Sequence, residues 1–172
     1  MSGWTDRQGG GTVARQDTAA GEDASPPGGL HQVADTLGYL AGGWRVERTV
    51  YDLSQDRHGT FRGTADFTRG EPGAELRHVE RGEFTWGGVT RPASREHLFE
   101  RAGDGAAFVR FADGRPFHPL DLRDGRCVAD HPCAEDVYRG EFSVLAADRW
   151  RVVWTVRGPT KDLRLVTLHH RI

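Results

Sequence analysis

The sequence predicts an all-β protein, an antiparallel up-and-down β-barrel of 8–10 strands preceded by one short N-terminal helix. Three observations carry this expectation. From Trp44 to the end of the chain, apolar and polar residues alternate with a period of two, the spacing of strands that bury one face. Glycine-containing turns, such as Ala112-Asp113-Gly114-Arg115 and Arg123-Asp124-Gly125-Arg126, separate several of the runs. No helical pattern intervenes, so successive strands pair as a meander, and a meander of this length curls or closes.

The elements follow in chain order. Residues 1–29 are rich in Gly, Ala, Asp and Pro with almost no large apolar side chain, a composition that cannot bury enough surface to order itself. A disordered tail is expected there, with Trp4 exposed or docked on the domain or a partner. Residues 30–172 are expected to form one barrel domain. Leu30, Val33, Ala34, Leu37 and Leu40 recur at three- and four-residue spacings before Gly42 and Gly43, which predicts one amphipathic helix. Trp44, Val46, Arg48 and Val50 then share a face, as do Phe61, Gly63, Ala65 and Phe67, and as do Leu76, His78, Glu80, Gly82, Phe84 and Trp86. Further runs cover about 91–101, 105–113, 126–131, 135–146, 148–157 and 161–171.

Composition limits the function. The 172 residues carry a formal charge of −2, which implies neither a nucleic-acid groove nor a patch for an anionic membrane surface. No run approaches the roughly 18 apolar residues of a membrane helix, and the first residues lack the apolar stretch of a secretory signal. A cytoplasmic location is therefore expected, with a small molecule as partner and the chain acting as monomer or homodimer. Cys127 and Cys133 make no Cys-x-x-Cys framework and read as free thiols unless a tight hairpin joins them.

A Gly-x-Trp motif at Trp44, a preceding helix and a last strand ending in Arg171 resemble the calycin superfamily of lipocalins and fatty-acid-binding proteins. That resemblance implies that Arg171 lies over Trp44. The stretches Trp44–Arg48, "FADGRPFH", "HPCAEDVY", "WTVRGPTKD" and "LHHR" together resemble an uncharacterised bacterial family with a lipocalin-like barrel, over nearly all of residues 37–172. The resemblance implies the fold and transfers no activity.

A barrel turns the alternation into a list of lumen residues. Its apolar members include Phe84, Phe111 and Trp154, while the same parity carries Arg48, His78, Glu80, Arg95, His97, Asp136, Thr167 and His169. Charges on an inward face cost several kcal/mol each unless paired or solvated, so Arg48 and Arg95 need partners, with Glu80 and Asp136 as candidates. Either the two guanidiniums grip an anionic ligand against the aromatic wall, or all four groups close into a salt-bridge network that binds nothing.

Other stretches offer chemistry with equally plain alternatives. His131, Cys133, Asp136 and Tyr138 lie together in "HPCAEDVY", where with His118 they read as converging at one rim. His118, His131 and Cys133 with Asp136 suit a zinc or iron site, Cys133 beside His131 or His118 a nucleophile, and the stretch otherwise only a turn around Pro132. Lys161, beside the Gly158-Pro159 turn, is either an anion contact, an amine of lowered pKa, or a solvated lysine paired with Asp162. His169 or His78 would serve a haem as axial ligand. His118, after a predicted turn, is expected where chain crosses a barrel mouth, as gate, proton donor or ligand contact, or merely bonded to a loop carbonyl or to Asp121.

Two function classes remain, neither requiring a metal or cofactor. The first is a binding protein whose cavity takes a partly aromatic or acyl molecule with an anionic group, contacted by Arg48, Arg95, Phe84, Phe111, Trp154, Lys161, His131 and Cys133. The second is a metal-independent isomerase, cyclase or lyase with Asp136 or Glu80 as base and Tyr138 or His118 as acid, an arginine stabilising developing charge.

Overall fold

A computed structural model describes residues 29–70 and 74–172. The tail expected over residues 1–29, Trp4 included, lies outside the described residues except for Gly29. Ten strands form one antiparallel sheet: β1 (Gly42–Asp52), β2 (Arg57–Arg69), β3 (Leu76–Trp86), β4 (Val89–Ala102), β5 (Ala106–Phe111), β6 (Pro116–Leu120), β7 (Arg126–Cys133), β8 (Asp136–Ala146), β9 (Arg149–Gly158) and β10 (Lys161–Arg171). Their spatial order is β6-β5-β4-β3-β2-β1-β10-β9-β8-β7, so the first and last strands meet where β1 pairs with β10. Curling brings β6 towards β7, and the barrel is nearly closed. Among the described residues no helix is long and apolar enough to cross a membrane.

The helix is shorter than the periodicity suggests. Only α1 (Thr36–Leu40) is helical, started by Asp35, whose carboxylate accepts from the Gly38 amide at 2.6 Å. Residues 30–34 instead run along the turns beneath the barrel, where the His31 and Val33 amides donate to the Val144 and Arg123 carbonyls at 3.0 and 3.2 Å. Their apolar spacing therefore matches loop packing rather than a helical turn. The turns read from sequence are present, with Gly114 and Gly125 at φ 84° and 76°, a region that glycine adopts at little cost.

α1 closes one end of the barrel. Leu37 and Leu40 pack with Trp44, Phe67, Val144 and Trp150 into a dry base. The Trp44 indole nitrogen donates to the Leu40 carbonyl at 2.8 Å, and the Arg171 guanidinium lies 4.0 Å above the Trp44 ring, as the lipocalin motif implied. Arg171 also donates to the Ala41 carbonyl at 2.9 Å and to the Tyr39 carbonyl, which fixes the helix to the last strand.

One strand was not foreseen. Residues 116–120, expected as chain crossing a mouth, form β6, because an edge strand tolerates Pro116 and Pro119 where a central one would lose ladder bonds. The β5–β6 register slips between Val109, which faces His118, and Arg110, which faces Pro116. Phe117 is the extra residue of that bulge, and its ring points inward beside His118 rather than out as strict alternation requires.

Candidate functional site

The lumen is built around Glu80. On β3 it stands opposite Ala65 of β2 and Arg95 of β4, while Arg48 of β1 stands opposite Phe61 and Thr167. Between Arg48 and Glu80 the strand β2 offers only Gly63 inward, so the long side chains meet over a low floor. Arg48 donates from Nη1 and Nη2 to the two Glu80 oxygens at 2.8 Å each and from Nε to Thr167 Oγ1 at 2.8 Å. Its guanidinium sits 5.1 Å over the Phe61 ring. Arg95 adds one bond, from Nη2 to Glu80 Oε2 at 2.9 Å.

The charges do not balance. Two guanidiniums share one carboxylate, which leaves a net positive charge in the lumen. Burial pushes the Glu80 carboxyl up, but the Arg48 bonds and the charges of both arginines outweigh it and hold the group at about 2. Arg48 and Glu80 are 9% and 2% exposed, whereas 40% of the Arg95 side chain is accessible. Arg95 borders the inner cavity, where burial and then the charge of Arg48 lower its pKa.

Histidines line the same space without adding charge at neutral pH. Burial pushes His78 down to about 3, His97 and His118 to about 4, and His169 well below its ordinary value. His169 stacks on Trp150 at 3.8 Å, and neither His169 Nδ1 nor Trp150 Nε1 finds a protein partner among the described residues. These two side chains, with Arg95, His97, His118 and Thr167, border an internal cavity of about 60 Å³. Phe142 and Trp154 form its apolar side, Trp154 lying over Gly140 where a side chain would collide with the indole. A larger basin of about 670 Å³ lies on the outer face of β7–β9, bordered by Asp130, Pro132, Val137, Arg139, Thr155 and Arg157. It gathers none of the buried polar groups.

Several expected partnerships are different. Asp136 joins no lumen arginine: at the start of β8 it lies at the lip and accepts from Lys161 Nζ at 2.5 Å, because the β9–β10 turn brings Lys161 there. That bond raises the Lys161 pKa, which removes the lowered-pKa amine, and its partner is Asp136 rather than Asp162. His118 is inside the wall, 4% exposed, not at a mouth. Its ring packs 5.2 Å from Phe142, and Nδ1 donates to the Pro119 carbonyl at 2.8 Å rather than to Asp121. His131 Nδ1 donates at 2.9 Å to the Phe117 carbonyl, and its ring is 6.2 Å from Tyr138. Cys133 is exposed at the end of β7, and among the described residues no three of His, Cys, Asp and Glu gather at metal-holding distances. Cys127 and Cys133 are both free thiols.

The remaining candidates form an aromatic wall. Phe111 and Trp154 stack with Phe117 at 4.5 and 5.4 Å, and Phe84 lies on Trp86 at 6.0 Å. His78 and His169 are both buried, 4% and 2% exposed, and His169 borders the cavity. Phe117 and Trp150 were missing from the candidates. Trp150 shares the inward parity of Val152 and Trp154 and was legible, whereas the bulge concealed Phe117.

These features define a ten-stranded antiparallel barrel with a dry base and a cationic, aromatic lumen. A family model matches residues 40–171, and the chain belongs to that family, a family of unknown function (DUF6314). No curated protein matches it. Among solved structures, the S-type phycobiliprotein lyase CPES from Guillardia theta is similar with a TM-score of 0.56 at 11% identity, over 79% of this chain and 90% of that one. A protein of unknown function from the DUF3598 family of Nostoc punctiforme gives 0.52 at 11% identity, over 84% of this chain and 50% of that one. At such identities the likeness is one of fold.

Proposed function

We propose that the barrel binds a small molecule through an anionic group, a carboxylate in the first instance, held by Arg95, with an aromatic or acyl body lying along the wall of Phe111, Phe117 and Trp154. The observation that carries this reading is the surplus guanidinium: Glu80 is fully engaged by Arg48, yet Arg95 spends one donor on it and turns accessible surface to the cavity. Burying Arg48 and Glu80 for stability alone is poorly repaid, because desolvation costs several kcal/mol per ion. An anion at Arg95 would neutralise the lumen and offer acceptors to the orphan Trp150 N–H.

The cavity sets the scale. At about 60 Å³ it is well below the roughly 300 Å³ at which drug-sized pockets begin, so it suits a head group with the body directed to the open end. Glu80, ionised and bound on both oxygens, supports a role in holding the arginines rather than in taking a proton, and Asp136 is tied to Lys161; both features favour binding over turnover.

The test is isothermal titration with 2-naphthoate and octanoate against the neutral alcohols of the same skeletons. Acids are expected to bind and alcohols not, and Arg95→Gln is expected to weaken the acids by about 30-fold, the cost of a charge-assisted pair of about 2 kcal/mol. Equal binding of acids and alcohols, or an unchanged Arg95→Gln, overturns the proposal.

A further inference from the structure

Phe117 occupies an unusual position. Its ring is nearly parallel to those of His97 and Trp154, with interplanar angles of 14° and 10° and centroid distances of 5.5 and 5.4 Å. His97 and Trp154 belong to β4 and β9, which approach each other only because the barrel curls shut between β6 and β7. The three rings form one offset stack, and its middle member comes from the least anchored strand.

We infer that the interval between His97 and Trp154 is a subsite for a planar conjugated ring, belonging to an aromatic carboxylate, and that Phe117 fills it from within the protein and yields it to the ligand. The inference rests on the anion-holding reading of Arg95. Three observations carry it. The first is the stack itself, which offers two flat faces to a flat group, as aromatic pairs prefer offset parallel or edge contacts. The second is position along β4: Arg95 and His97 share the inward face two residues apart, about 7 Å along a strand, which matches a carboxylate set on a ring. The third is that Phe117 can leave. It is the extra residue of a bulge in a five-residue strand, and its outer edge has no ladder to β7. His97 is uncharged at neutral pH, so it stacks as a neutral ring.

Displacing Phe117 costs the protein its own stacking and thereby weakens ligand binding. Removing the phenyl ring removes that competition. Phe117→Ala is therefore expected to bind 2-naphthoate about tenfold more tightly than the unaltered protein, with a gain for octanoate below about threefold. Adding Arg95→Gln is expected to abolish the gain. Circular dichroism establishes that each variant is folded, and Phe117→Leu, which keeps a smaller plug, is expected to give the same ordering where the alanine variant does not fold. Equal gains for 2-naphthoate and octanoate mean that the substitution only opened a hole, and overturn the subsite. No gain, with Arg95-dependent binding of 2-naphthoate intact, overturns the subsite and leaves the anion-holding reading standing. No 2-naphthoate binding by any variant overturns both for aromatic acids.

Discussion

The two halves of the barrel wall are built differently. β2, β1, β10 and β9 run 10 to 13 residues each and pair with one another in that order without a slip, and they carry Trp44, Arg171 and Arg48. On the other side, β5, β6 and β7 run 6, 5 and 8 residues, contain Pro116, Pro119 and Pro132, slip at Val109/Arg110, and leave β6 and β7 without a ladder. The long half ties its charged Arg48 to Glu80 and Thr167, while the buried nitrogens of Trp150 and His169 on that side have no protein partner among the described residues. The short half packs rings, Phe111, Phe117, His118 and His131, that hold one another by stacking. Backbone ladders resist opening cooperatively, whereas ring contacts of about 0.5–1.5 kcal/mol each can be exchanged for a ligand's ring. Rigidity and adaptability are thus divided between two sides of one lumen.

The largest expected effect breaks the rigid side. Glu80→Gln removes the carboxylate that Arg48 and Arg95 share and leaves two guanidiniums facing each other, one of them 9% exposed. Loss of one partner from a buried ion network costs about 3–5 kcal/mol. Urea denaturation is expected to register that drop in unfolding free energy; a loss below about 1 kcal/mol would mean that the lumen is wet enough to solvate both arginines.

Acid provides the next test. In the fold His78 and His118 have pKa values of about 3 and 4, against about 6.5 in an unfolded chain. As pH falls the unfolded chain takes up protons first, so the stability of these neutral rings is complete above about pH 6.5 and is lost progressively towards their folded values. At pH 5 the loss is about 2 kcal/mol for each ring. Glu80, held at about 2, adds loss in the same direction only below its ordinary value of 4.5. Urea midpoints are expected to fall between pH 7.5 and 5, and His118→Phe is expected to flatten that fall by about 2 kcal/mol, separating the contribution of the short half from that of His78. A midpoint independent of pH over that range would contradict the burial of these rings.

The same division explains what the sequence made legible. Alternation in β1, β2, β3, β4, β9 and β10 exposes the barrel and places Arg48, Glu80 and Arg95 on one inward face, because long strands leave parity undisturbed. In "RPFHPL" two prolines hide a strand and a bulge turns Phe117 inward, so neither the depth of His118 nor the role of its neighbour follows from spacing. Asp136 has the inward parity of Tyr138, but it is the first residue of its strand, and there the approach of Lys161 decides its partner. Residues 30–34 show helical spacing, and their amides are claimed by turns distant in sequence. Parity is local information, and these are places where non-local contacts outweigh it.

The smallest effect sharpens the comparison furthest. Across the unladdered edge the His131 ring donates to the Phe117 carbonyl at 2.9 Å and meets the Phe117 ring edge-on at 4.9 Å. His131→Ala removes both contacts, and one hydrogen bond plus one ring pair amount to about 1–2 kcal/mol. The division of the wall predicts that this loss is local: amide exchange in peptides covering 112–122 accelerates, because β6 retains only its slipped pairing with β5, while exchange over 44–52, laddered on both edges, keeps its rate. Hydrogen-exchange mass spectrometry reads both segments in one experiment. Equal acceleration in the two would mean that the barrel opens as a single unit, and the short half would then hold no separate freedom with which to admit a ligand.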